Sequence, residues 1–170
     1  MFKNGILELG NFLYRFRGII AVPFFISLVF FSRPTRLHIL PFIFLFTGLV
    51  LRMWTVGYIG PVSRQNKFAG HYIIQNGPYR FLKHPLYIGN FSLVVGVIFL
   101  FNPPIWLVIS LIALFVVEYS IIILSEQKYL KNLLHKEAKF KLINLRGEIS
   151  TVVVLIIIYL IYLVKLITST

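Results

Sequence analysis

Two apolar runs, residues 86–101 and 105–124, are separated only by Asn102-Pro103-Pro104. Proline cannot continue a helix and asparagine tolerates a turn, so the tripeptide reads as the tip of a tight helical hairpin. The two arms carry a single formal charge between them, Glu118. Neither arm has a polar face to offer water, which places the hairpin in a bilayer, where a spanning helix needs about 20 mostly apolar residues. Three further stretches meet that need in whole or part: residues 18–32, 37–54 and 151–166. The helix-spaced Ile, Leu and Phe of residues 6–16 could extend the first of them along the interface. The Ile and Val runs lack the alternation of polar and apolar residues that a barrel needs. The fold class expected is therefore all-α: one integral membrane domain over 1–170, a polytopic bundle of about five transmembrane helices.

Composition agrees. Apolar residues make up 58% and charged residues 13% of the chain, against about 45–50% and about 25% in soluble domains. A soluble enzyme, a disordered tail and a disulfide-stapled module are excluded, the last also because cysteine is absent. The N-terminal residues lack a short apolar core followed by a small-residue cleavage site, so no cleaved signal peptide is expected.

The net charge of +12 arises from 17 Lys and Arg against 5 acids. In a membrane chain this excess is read as topology rather than as a nucleic-acid footprint, so no nucleic-acid partner is expected. If Asn102–Pro104 is a hairpin tip, segments 57–84 and 125–150 lie on one side. Five spans put the N-terminus there too, collecting thirteen basic residues against Arg33, Arg36 and Lys165 opposite. The positive-inside rule makes the basic side cytoplasmic and leaves the C-terminus outside. Polar chemistry is then concentrated in the two cytoplasmic segments at the mouth of the bundle.

Residues 71–90, HYIIQNGPYRFLKHPLYIGN, are the informative stretch. An amphipathic interfacial segment, with Tyr at the headgroups and Lys and Arg on anionic lipid, would account for the composition. It does not account for the order. His84-Pro85 at a span entrance, followed by Tyr87 and Gly89, suggests a constrained backbone that a ligand approaches closely.

The order resembles the signature of the isoprenylcysteine carboxyl methyltransferase family: H-x-L-V-x-x-G-x-Y, a short gap, then R-H-P-x-Y-x-G. Here it reads His71 to Gly77 and Tyr79, then Lys83-His84-Pro85, Tyr87 and Gly89. The apolar hairpin and the acidic Glu126 beyond it also fit, as does Leu51-Arg52-Met53-Trp54 upstream. Phospholipid N-methyltransferases are similar in layout. The resemblance implies an integral membrane methyltransferase using S-adenosylmethionine bound in a cytoplasm-facing pocket, which a lipidic or membrane-soluble acceptor reaches from the bilayer. By position, His71, Gly77, Tyr79, Lys83, His84, Pro85, Tyr87, Gly89 and Glu126 would surround the cofactor, with His84, Arg80 and Glu126 nearest the chemistry. Those residue types suit it. Glu126 can pair with the cofactor's ammonium, Arg80 or Lys83 with its carboxylate, and the faces of Tyr79 and Tyr87 with adenine or sulfonium.

A carboxylate acceptor needs no base, so carboxyl O-methylation of isoprenylcysteine type is the leading expectation. An amine acceptor would need His71 or His84 as base, the phospholipid N-methyltransferase alternative. A catalytically silent scaffold or small-ligand binding protein that keeps the fold is the third reading. This chain has Glu126-Gln127 where the family has paired acids, and residues 134–141 lack the family's usual tyrosine-bearing element. Four scattered His with no carboxylate cluster supply no metal set. His38 and His135 are expected to be interfacial, and Arg52 and Glu118, at similar depth, to form a structural ion pair. Oligomeric state stays open, since lipid-facing and subunit-facing apolar surfaces have the same composition.

Overall fold

A computed structural model of the chain describes residues 2–34, 39–60, 73–131 and 133–168. His38, Arg64, Lys67 and His71 lie outside the described residues. Five helices carry the fold: α1 (Phe2–Phe31), α2 (Ile39–Ile59), α3 (Pro85–Phe101), α4 (Ile105–Leu130) and α5 (Ile149–Thr168). All but α3 are long and apolar enough to cross a membrane, and α3 has 17 residues, about 25 Å of helix. The protein is an all-α polytopic bundle, as its apolar runs dictate.

The hairpin forms where Asn-Pro-Pro puts it. Asn102 takes the left-handed conformation (φ 45°) and donates its N–H to Ile98 O at 2.9 Å, closing α3. Pro104 opens α4, its carbonyl accepting Leu107 N at 2.9 Å. The first span is longer than the apolar run suggests. Residues 6–16 do extend it: they continue into one 30-residue helix with Pro23 inside it. At about 45 Å, such a helix spans headgroups as well as hydrocarbon.

Packing uses small residues, as expected where lipid competes equally for apolar side chains. On α2, Gly48 faces Gly89 of α3, and a Cβ on Gly48 would fall 2.9 Å from the Gly89 carbonyl oxygen. Gly96 likewise seats the Leu45 side chain. On α1, Gly10 faces Ser125 of α4, whose hydroxyl donates to Ile6 O at 2.7 Å. The Gly48–Gly89 and Gly10–Ser125 contacts make α2–α3 and α1–α4 the close pairs. At the hairpin end Leu28, Ile98, Leu100, Phe101, Leu107 and Tyr162 form one buried cluster; Tyr14, Tyr87 and Ile122 form another at the opposite end. Ile19, Phe46, Val117 and Ile157 are among the large apolar side chains left exposed, the surface a bilayer would cover.

The expected Arg52–Glu118 pair does not form. Arg52 instead makes a bidentate pair with Glu148, Nε to Oε2 and Nη2 to Oε1, both at 2.8 Å. The reason lies in which helices are neighbours. Arg52 on α2 sits against α3, where a Cβ on Gly89 would meet its Cγ, and against the start of α5, where Nη2 also reaches Thr151 Oγ1 at 3.3 Å. Glu118 lies on α4, which pairs with α1.

Candidate functional site

The site is assembled where α3 begins and α4 ends. Residues 77–80 form a 3-10 turn that Gly77 can enter because it adopts φ +63°. A Cβ there would also fall 2.5 Å from the Tyr58 ring. His84 is the N-cap of α3, and Pro85 takes the first helical position, where its missing N–H costs nothing. This places Tyr87 one turn into α3, facing α4.

Three signature residues converge there. Tyr87 donates its hydroxyl to Glu126 Oε2 at 2.9 Å. His84 stacks on Tyr87, centroids 5.8 Å apart and planes at 25°, with Nδ1 3.8 Å from the same carboxylate oxygen. Gln127, which stands where the family has a second acid, sets its amide nitrogen 3.1 Å from His84 Nε2. An amide N–H donating to Nε2 requires a neutral ring with its proton on Nδ1, facing Glu126. The environment agrees: burial and then the Lys83 charge lower the His84 pKa from its ordinary value. Glu126 keeps 28% of its side chain exposed and His84 22%, so both open to a ligand.

Tyr79, half-buried on the 3-10 turn, lies within electrostatic reach of Glu126. Burial first, then that carboxylate, push its phenol well above the usual range, so it stays a hydroxyl donor. Arg80 and Lys83 are exposed on the flanks, where either could meet an anionic group. Pro85 is buried at the helix start. Gly89 faces away from this cluster: a Cβ there would strike Arg52 Cγ at 2.8 Å and Gly48 O at 3.2 Å, so its small size serves the α2–α3 crossing.

Residues 134–141, the departure from the family pattern, are tied to the signature segment. His135–Lys136 pairs in parallel with Ile73–Ile74. Asn76 donates to Ala138 O at 2.5 Å and accepts Ala138 N at 2.9 Å. Lys141 N and Asn144 Nδ2 both donate to Gly57 O, at 3.0 and 2.9 Å, while Phe140 covers Gly57 itself. His135 is exposed within this pairing.

Behind the site lies a polar chain that sequence reasoning missed. Tyr119 packs edge-on against Tyr87, centroids 5.3 Å apart. Its hydroxyl accepts Asn90 Nδ2 at 2.9 Å, and Asn90 Oδ1 in turn accepts from Arg52. Arg52 carries the chain on to Glu148, 1% exposed. Arg17 enters the sequence reading only as one of the thirteen basic residues on the N-terminal side. Its guanidinium lies 4.1 Å from the Tyr14 ring centre and within electrostatic reach of Glu126, Glu118, Tyr87 and Tyr119. An arginine directly before an apolar run was the available signal.

No curated protein matches the chain, and no solved structure does. The sequence model of the isoprenylcysteine carboxyl methyltransferase family matches residues 37–132, more than half of the 170-residue chain. That segment holds α2, α3 and α4, with Tyr79, Arg80, Lys83, His84, Tyr87, Glu126 and Gln127. The chain belongs to the isoprenylcysteine carboxyl methyltransferase family.

Proposed function

We propose that the protein transfers a methyl group from S-adenosylmethionine to a lipidic or membrane-soluble acceptor, by carboxyl O-methylation of isoprenylcysteine type, at a site facing the cytoplasm. The observation that carries this reading is the meeting of His84, Tyr87 and Glu126, at 2.9 and 3.8 Å, at the mouth of a membrane bundle of this family.

The residues present fit the cofactor. A partly exposed carboxylate held by Tyr87, two aromatic faces and two exposed cations match an ammonium, a sulfonium with adenine, and a carboxylate. Glu126 would hold the ammonium, Arg80 or Lys83 the carboxylate, and Tyr79, Tyr87 and His84 the flat and cationic parts. When bound, S-adenosylmethionine supplies an electrophilic methyl: the acceptor's oxygen–carbon bond forms as carbon–sulfur breaks, the electron pair staying on sulfur. The protein's share is alignment and exclusion of water. A carboxylate acceptor arrives ionised, so no side chain must take a proton.

N-methylation of a phospholipid amine is a second reading, favoured by the neutral His84. A ring with lowered pKa is ready to accept an amine proton near neutrality.

The test is transfer of label from methyl-labelled S-adenosylmethionine into organic-extractable product, with purified protein and total membrane lipid. Label lost in both His84→Ala and Glu126→Ala supports the site; base-labile label identifies an ester and base-stable label an amine. Absence of label together with absence of cofactor binding by calorimetry refutes the enzyme and leaves the silent scaffold.

A further inference from the structure

We propose that Arg17 and Glu118 form the headgroup subsite for the methyl acceptor, Arg17 taking its carboxylate and Glu118 an N–H donor beside it. The inference rests on the carboxyl-methylation reading and specifies what the acceptor must carry: an anion and an N–H donor on one amino-acid-like headgroup.

The placement follows from the α1–α4 pairing. Ser125 of α4 meets Gly10 and Ile6 of α1. The helices run antiparallel, so seven residues further along α1 lies Arg17, and seven residues back along α4 lies Glu118. Helical side chains lean toward their own N-terminus. The Arg17 guanidinium accordingly sits over the ring of Tyr14 at 4.1 Å, leaning back toward the site. From there its charge reaches both Glu118 and Glu126. Glu118, Ile122 and Glu126 share one face of α4, and Glu118 lies about 12 Å deeper than Glu126 along the axis. A positive group thus stands between the carboxylate proposed for the cofactor and a second, deeper one.

Glu118 is what points to a ligand. It is 9% exposed, and its Oε1 accepts no hydrogen bond among the described residues. A buried carboxylate oxygen with no donor at membrane depth is costly, and such groups mark functional sites. Arg17 offsets the charge without supplying a donor to Oε1. The missing partner is an N–H or O–H delivered by something that enters from the bilayer. Tyr119, beside Glu118 in sequence, points its hydroxyl to Asn90 instead. An acceptor whose carboxylate lies on Arg17 has its reacting oxygen on the Glu126 side, with its neighbouring N–H left for Glu118.

The test compares two probes on the intact protein in bicelles. N-acetyl-S-farnesylcysteine carries a carboxylate and an amide N–H, whereas S-farnesylthiopropionic acid keeps the carboxylate and lacks the amide. Calorimetric binding to the wild type should be about tenfold weaker for the second probe, the size expected when a hydrogen bond to a charged group is not made. Glu118→Gln should weaken the amide-bearing probe by about tenfold and leave the other unchanged, while Arg17→Gln should weaken both. Equal binding of the two probes by the wild type overturns the proposal without any variant. So does a Glu118→Gln effect that is the same for both probes. S-Adenosylmethionine binding is measured alongside: if it persists while neither probe binds, the subsite is refuted and the cofactor reading stands. If it too is absent, the enzyme reading fails as well.

Discussion

Replacing Glu148 with Ala should destabilise the bundle substantially although the residue lies outside the family-matched segment. Its carboxylate is 1% exposed and takes two guanidinium hydrogen bonds at 2.8 Å. Removing one partner of a buried pair costs about 3–5 kcal/mol, because the other charge stays behind. Arg52 would keep its neutral acceptors Asn90 and Thr151, worth about 1 kcal/mol each. We therefore expect a loss of about 1–3 kcal/mol for Glu148→Ala. Arg52→Met should cost at least as much, since it removes both guanidinium hydrogen bonds from the more deeply buried carboxylate. The double variant Arg52→Met/Glu148→Leu strands neither charge and should fall well short of the sum, leaving a coupling of about 2–4 kcal/mol. The assay is reversible unfolding by SDS titration in bicelles, followed by the fluorescence of Trp54, two residues from Arg52. Single-variant losses that add to within about 0.5 kcal/mol would refute the reasoning, because separate contributions mean the two groups do not act as one buried unit.

The remaining predictions concern the site. His84 should titrate below the ordinary value of about 6.5 by nitrogen-detected NMR. Because the folded pKa is the lowered one, its contribution to stability is full above about pH 6.5 and is lost as pH falls toward the folded pKa. Lys83→Met should move that midpoint upward, and a wild-type midpoint at or above 6.5 would contradict the assigned environment. Tyr87→Phe removes the hydroxyl that orients Glu126 and should weaken S-adenosylmethionine binding roughly tenfold by calorimetry, about the value of one hydrogen bond to a charged group; unchanged affinity would remove Glu126 from the cofactor site. Gly57→Ala sets a Cβ 2.0 Å from the Phe140 ring, so residues 133–148 should become more sensitive to limited proteolysis than in the wild type. Gly48→Val forces α2 and α3 apart at the Gly89 carbonyl and should lower thermal stability by more than the same change at Gly5, where a Cβ meets nothing within 4 Å.

Local features were legible in the sequence and pairings were not. Asn102-Pro103-Pro104 specifies its turn without outside help, and His84-Pro85 specifies a helix start, so both stand where the residues put them. The partner of Arg52 depends on which helices are neighbours. Glu118 and Glu148 both satisfy the same charge logic, and the small-residue faces of α2 and α3, which set the helix neighbours, decide between them. Gly89 illustrates a related ambiguity: the lack of a Cβ serves close approach by a ligand or by a helix equally well. Two-residue strands at 73–74 and 135–136 have no periodicity to read. Arg17 was hidden because the first apolar run begins after it, while the helix begins far earlier.

The last turn of α1 has carbonyls without helical partners, and Lys165 of α5 donates to two of them, at Val29 and at Phe30, the latter at 3.3 Å. Ordered along the chain, that contact joins α1 to α5, as Arg52–Glu148 joins α2 to the residue just before α5. During synthesis, then, the Val29 and Phe30 carbonyls lack the Lys165 ammonium, and Arg52 lacks its carboxylate, until the chain from residue 148 onward arrives. Chains truncated before residue 148 should insert, yet leave both defects open to membrane quality control.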